Sequence, residues 1–202
     1  MKTAIIITAL ILGIMIITQS FVSKNTKQTE THAYKVIKAY DQFEIRKYES
    51  ALFSGVKLAS KGYKESSGTG FRVLAGYIFG DNEKNQKIAM TTPVVMELGD
   101  TTKMLFKVPD GYTIEQLPQP KNTKITFEKQ EEKIMAAIRF DGWASDEKIK
   151  QYTAILTEAL AKEKLEHSST FSFLGYNPPY ELVNRRNEIA VELFNYTIKE
   201  TY

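Results

Sequence analysis

Lys87–Leu98 reads KIAMTTPVVMEL, and the fold turns on this stretch. Ile88, Thr91, Thr92, Val94 and Val95 favour a pleated strand. Pro93 has no amide hydrogen to give to a ladder, so a strand here is expected to bend, bulge or lie on an edge at that point. Just upstream, Phe71, Leu74, Ala75 and Ile78 fall at helical spacing, which predicts an apolar helix face over Phe71–Phe79. That helix ends in GYIFGDN (Gly76–Asn82). Downstream, a Gly99-Asp100 turn predicts Lys103–Val108 as a hairpin partner.

Outward from this centre the order of elements repeats. Ala51–Ala59, the helix, the Lys87–Leu98 strand and its partner form one unit. Lys133–Phe140, a helix opened by Ser145 as N-cap, Phe171–Tyr176 and Glu188–Phe194 form a second. Ile149, Tyr152, Leu156 and Ala159 line the buried face of the second helix, widened by Ile155 and Leu160. Tyr34–Tyr48 reads as a strand or hairpin before the first unit, and Ile125–Glu128 as a strand between the two. Two β-α-β-β units predict an α+β fold: a distorted antiparallel barrel with two helices packed outside it.

The chain has 202 residues, a formal net charge of +3, 25% charged residues and no cysteine. Disulfides, thiolate catalysis and cysteine-ligated metals or haem are thereby excluded, and no clustered basic face suggests nucleic acid. Gly68 and Gly70 in GTGFRVLAG match neither a dinucleotide fingerprint nor a P-loop. Ala4–Ile17 is apolar apart from Thr8 and Gly13, Thr18, Gln19 and Ser20 follow, and Thr3–Val22 is long enough, at roughly 30 Å as a helix, to cross a hydrocarbon layer. Residues 1–22 are therefore expected to be a signal peptide or transmembrane anchor, 23–33 a polar linker, 34–196 the globular domain and 197–202 a tail. The domain is expected outside the cytoplasm, periplasmic in a bacterial setting.

Five stretches in order carry a family resemblance: FEIRKYE (Phe43–Glu49), GYIFGDN with KIAMTTPV, FKVPDGY (Phe106–Tyr112) with LPQP (Leu117–Pro120), IRFDGWAS (Ile138–Ser145) and GYNPPYELVNRRNEIAV (Gly175–Val191). Together they resemble the SOUL haem-binding family. The resemblance implies the duplicated β-α-β-β barrel shared with bacterial effector-binding domains. It also implies non-covalent binding of haem or another tetrapyrrole in an apolar pocket beside the first helix, as carrier or buffer and not as catalyst.

On that reading Phe71, Leu74, Ala75 and Ile78 supply the pocket wall, or else simply pack on the barrel. Lys61, Lys64 and Arg72 meet propionates, or else are solvated surface cations. Met90 is a thioether ligand or a core methionine. Some animal members carry a histidine directly after the EIR of the opening strand, where this chain has Lys47. His32 falls in the linker and His167 after the second helix, so haem without histidine ligation is the expectation. Arg185 and Arg186 suit a carboxylate or phosphate, or else pair with Glu188 and loop carbonyls. Other readings are a module for another apolar or cationic effector, a barrel without ligand, and a hydrolase built on a buried carboxylate.

Overall fold

The computed structural model describes residues 7–197 apart from 9, 12, 15–17, 20, 21, 23, 25, 27, 60, 61 and 100. Lys61, Asp100, the tail beyond 197 and much of Met1–Val22 thus lie outside the described residues. The elements are β1 (Tyr34–Ala39), β2 (Glu44–Tyr48), β3 (Ala51–Leu58), α1 (Tyr63–Ile78), β4 (Val94–Leu98), β5 (Thr102–Lys107), β6 (Ile125–Gln130), β7 (Lys133–Asp141), α2 (Asp146–Lys162), β8 (His167–Gly175) and β9 (Arg186–Leu193).

All nine strands form one antiparallel sheet in the order β1-β2-β7-β9-β8-β4-β5-β3-β6. The fold is α+β, a curled half-barrel with two helices on one face. The order shows the duplication directly. β7-β9-β8 from the second unit meets β4-β5-β3 from the first, and the seam is the β8–β4 pairing.

Alternation assigns the two faces. Val56, Leu58, Met96, Met104, Phe106, Ala136, Ile138, Phe140, Phe173, Ile189 and Val191 face the helices and form the main core with Leu74, Tyr77, Ile78, Leu156 and Leu160. The opposite face holds smaller apolar clusters around Tyr48, Met135, Leu174 and Tyr176, and around Phe53 and Leu105.

Two local differences from the sequence reading have clear causes. The strand expected over Lys87–Leu98 begins only at Val94, after Pro93, and is central, between β8 and β5. The residues before it work by side-chain and backbone bonding outside the ladder. The Thr91 hydroxyl donates to the Lys107 carbonyl at 2.6 Å. The Thr92 amide donates to the Glu30 carbonyl, and the His32 amide donates to the Thr92 carbonyl. Helix α1 begins at Tyr63, eight residues before its apolar face does, so the glycine-rich entry is itself helical. Its start carries no cap of its own. Asp146, the first residue of α2, accepts from the Tyr63 and Lys64 amides at 2.6 and 3.2 Å, supplying partners for amides that a helix N-terminus leaves open.

The motif around the end of α1 is structural. Asn82 is fully buried. Its side-chain amide donates to the Tyr77 and Gln86 carbonyls, and its oxygen accepts from the Lys84 and Gln86 amides. Gly80 ends the helix at φ 116°, a left-handed conformation that glycine adopts without strain. Ser145 caps α2, accepting from the Lys148 amide.

The chain joins the fold before Ala33. Thr31 bridges Thr92, and Glu30 forms an ion pair with the buried Lys107. His32, expected as a solvated linker residue, is 7% exposed, lies against the Tyr48 and Phe53 rings and hydrogen-bonds the Glu49 carbonyl through Nε2 at 2.8 Å. Among the described residues no helix is long and apolar enough to cross a membrane. Ile7, Leu10, Ile11 and Ile14 are helical and exposed.

Candidate functional site: a cavity at the seam of the two units

Where β4 meets β8, the sheet and the first half of α1 enclose a cavity of about 640 Å³. This lies within the usual range for small-molecule sites, roughly 300–1,000 Å³. Two directly opposed cross-strand pairs lie in its wall, Val94 with Gly175 and Met96 with Phe173. The Phe173 ring packs where a side chain at Gly175 would begin, 3.3 Å from that position, and the apolar side chains around it give this part of the wall no charge. Met104 on β5, Phe71 on α1 and Met90 ahead of β4 complete the apolar part. Tyr63, Trp143, Tyr176 and Tyr180 add aromatic surface.

Thr26, Thr29, Ser67 and Thr92 add hydroxyls, and the charged group comes from the β8–β9 loop. Arg185 lines the cavity and is buried. Its guanidinium donates to the carbonyls of Pro178 at 2.9 Å, Glu181 at 2.6 Å and Asn177 at 3.3 Å. It sits 4.2 Å from the centre of the Trp143 ring. Its Nε–H is buried without a hydrogen-bond partner. Desolvation lowers the pKa of this guanidinium, opposed by the charge of Glu181, and an arginine nevertheless stays protonated in a protein. The cation is thus held by neutral carbonyls, and Nε is its one nitrogen without a partner among the described residues. Asn187 donates to the Gly142 carbonyl at 2.7 Å and so ties β9 to the Trp143 loop.

The neighbouring Arg186 belongs to another arrangement, on the opposite face of the sheet. Glu188 is fully buried. Its carboxylate accepts from Arg46 at 2.6 and 3.2 Å, from Arg186 at 2.9 and 2.7 Å, and from the Tyr176 hydroxyl at 2.9 Å. Arg46 also lies over the Tyr34 ring and Arg186 over the Tyr176 ring. Burial would raise the Glu188 pKa, but the hydrogen bonds and charges of the two arginines bring it below the ordinary value. This carboxylate is therefore an ionised structural anchor, the wrong state for a general acid at neutral pH. Of the two sequence readings for the Arg185-Arg186 pair, these contacts are those of the structural one: Arg185 takes loop carbonyls and Arg186 takes Glu188.

The residues singled out from the sequence part company. Phe71 and Met90 line the cavity. Leu74, Ala75 and Ile78 are buried in the main core, packed on the sheet. Lys64 and Arg72 are exposed, outside the cavity wall. His32 is held by Glu49, and His167, at the start of β8, hydrogen-bonds the Ser168 carbonyl through Nδ1. Neither lines the cavity. Among the described residues no group of three or more His, Asp or Glu is placed to hold a metal ion.

Sequence reasoning missed Trp143, Asn177–Tyr180 and Asn187 as cavity residues, and offered Arg185 for a carboxylate or phosphate without placing it beside the apolar wall. The one available signal was GYNPPYELVNRRN, a proline-rich loop carrying two aromatics and two arginines, which composition alone reads as a turn. It also missed Val22, Thr26 and Thr29, which wall the cavity from the N-terminal side.

Comparison with known proteins gives the family and supports the fold. The family described as SOUL heme-binding protein matches residues 29–192. Heme-binding protein 1 of Xenopus laevis is 29% identical over 155 residues, covering 73% of this chain and 81% of the relative. Heme-binding protein 2 of Homo sapiens is 30% identical over 167 residues, covering 78% and 81%. Among solved structures, the EcmrR C-terminal domain superposes with a TM-score of 0.59 at 7% identity, covering 76% of this chain and 97% of that one. That likeness is one of fold.

Proposed function

Because the chain belongs to the SOUL heme-binding protein family, we propose that it binds haem or a related tetrapyrrole, non-covalently, in the cavity at the β4–β8 seam. The observation that carries this reading is an apolar, aromatic-rimmed cavity with one buried cation whose Nε–H lacks a partner. A tetrapyrrole presents an apolar disc and carboxylate side chains. Phe71, Met90, Val94, Met96, Met104 and Phe173 suit the disc, and Arg185 suits one carboxylate. Met90 is a thioether in the wall, and with both histidines engaged elsewhere the ligand is held without histidine. On this reading the protein carries or buffers its ligand and does not transform it: of the two buried carboxylates among the described residues, Glu188 is locked between two arginines and Glu181 is engaged by Thr26 and Asn177. Residues 1–22 act as export signal or membrane anchor, with the domain outside the cytoplasm, tethered to a membrane in the second case.

The test is a haemin titration of the full chain followed by its Soret band. Removing a charge-assisted hydrogen bond costs about 1.5–3 kcal/mol, so Arg185→Gln should weaken binding by roughly 10- to 100-fold. Arg185→Lys keeps the charge without the planar fork and should fall between. Lys64→Met and Arg72→Met should leave the affinity unchanged. Equal weakening by the surface variants would move the site to the outer face of α1. A binding module for a lipophilic cation is disfavoured by the Arg185 charge, and such a cation should not displace haemin.

A further inference from the structure

The rim of the cavity is apolar and carries no exposed charge over a run that would ordinarily be a polar loop. Between Asn177 and Arg185 the charged residues are Glu181 and Arg185, and both are buried. Glu181 accepts from Thr26 and Asn177, both at 2.8 Å. What the loop leaves outside is Pro179, Tyr180, Leu182, Val183 and the uncharged Asn184. Tyr180, Leu182, Val183 and, across the mouth, Trp143 are between 47% and 65% exposed. A globular protein rarely leaves such a group uncovered without a partner.

The same rim is bonded to the N-terminal segment. Gln19 donates to the Tyr180 carbonyl at 3.2 Å and accepts from the Leu182 amide at 2.9 Å. On the N-terminal side of Gln19 lie Ile7, Leu10, Ile11 and Ile14, helical and each more than half exposed. Gln19 thus joins the N-terminal segment to the rim, and Val22 and Thr26 beyond it line the cavity.

We propose that this rim is a lipid-contact surface, seating the cavity mouth at the headgroup level of a bilayer so that an apolar ligand passes between bilayer and cavity without crossing water. Trp and Tyr favour that depth because each has an apolar body and a polar edge. An uncharged loop avoids the cost of bringing a charge to the hydrocarbon boundary. The proposal rests on the reading that the N-terminal segment holds the chain at a membrane.

The chain has one tryptophan, Trp143, which makes the test direct. The full chain is reconstituted into vesicles of phosphatidylcholine and phosphatidylglycerol with brominated acyl chains, and its flotation and tryptophan emission are recorded. Seating at the interface predicts co-flotation and emission reduced by roughly half relative to unbrominated vesicles, as for an interfacial ring. Introducing Tyr180→Asp, Leu182→Asp and Val183→Asp together should restore emission while the chain still floats. Unquenched emission from a floating wild-type chain overturns the proposal and points to a protein partner for the rim. A chain that does not float overturns it through its premise. Quenching that survives the triple substitution also overturns it. Haemin titration in detergent reads the ligand assignment separately, so failure of one leaves the other decided on its own data.

Discussion

Replacing Glu188 by Gln should cost far more than an isosteric change suggests. The carboxylate is fully buried and accepts five hydrogen bonds, four from Arg46 and Arg186 and one from Tyr176. Glutamine keeps one acceptor oxygen and turns an NH₂ toward guanidinium donors. Arg46, itself buried, then has only the half-buried Glu44 carboxylate, at 2.8 Å, as counter-charge. Removing one member of a buried ion pair costs about 3–5 kcal/mol. For a chain of this size that corresponds to a fall in Tm of roughly 6–20 °C. Urea unfolding of the full chain, followed by Trp143 fluorescence, gives the difference. The double variant Glu188→Leu with Arg46→Met removes both charges of the fully buried pair, leaving the half-buried Arg186 without its partner, and should recover part of the loss, since apolar replacement of a buried pair is often neutral. A Glu188→Gln loss below about 1 kcal/mol would refute the network as a stability element, given the range for buried pairs. A double variant no better than the single one would show that packing, not uncompensated charge, sets the cost.

Other consequences can be measured on the same chain. Burial lowers the His32 pKa, with the Glu49 carbonyl opposing and Lys107 and Lys133 adding to the effect against Asp110. The unfolded chain then takes up a proton near the ordinary value of about 6.5 that the folded chain refuses, so stability falls as pH drops below that value, by at most about 1.4 kcal/mol per pH unit. His32→Gln should flatten this part of the pH–stability profile, and an unchanged slope would assign it to other groups. Two glycines of α1 should respond oppositely. A Cβ at Gly68 meets nothing within 4 Å, so Gly68→Ala should stabilise by about 0.5–1 kcal/mol. A Cβ at Gly70 would lie 2.9 Å from Leu58 and 3.1 Å from Met104, so Gly70→Ala should destabilise by about 1–3 kcal/mol in thermal melts.

The duplicated sheet was legible because strand alternation and helix periodicity are local. Val94, Met96 and Leu98 fall on one face whatever they pair with, and the repeated element order then specifies the two units. The family motifs were legible too, yet several serve the scaffold: Asn82 closes the loop after α1, and Thr91 and Thr92 receive the neighbouring strand end and the N-terminal segment. The start of α1 was hidden because its stabilising carboxylate, Asp146, comes from the other unit. The helix face read as a pocket wall was mostly core, because periodicity shows which residues are buried and not against what. Only Phe71 of that quartet lines the cavity. Arg185 was unreadable as a site residue for a similar reason. Its significance lies in an Nε–H that the loop carbonyls leave unpaired, which depends on the conformation of residues 177–185. Likewise nothing local to His32 announces that Glu30 and Lys107 fasten it to the sheet.

The central claim is that a tetrapyrrole occupies the seam cavity, and it is tested most directly by haemin titration of the full chain beside Gly68→Phe. Gly68 lines the cavity and has open space beside it, so a phenyl ring there should fill the site without breaking α1. Saturable one-to-one binding by the wild-type chain, lost in Gly68→Phe while the cooperative melt is retained, is the expected result. No saturable binding, or binding untouched by the added ring, would contradict the assignment.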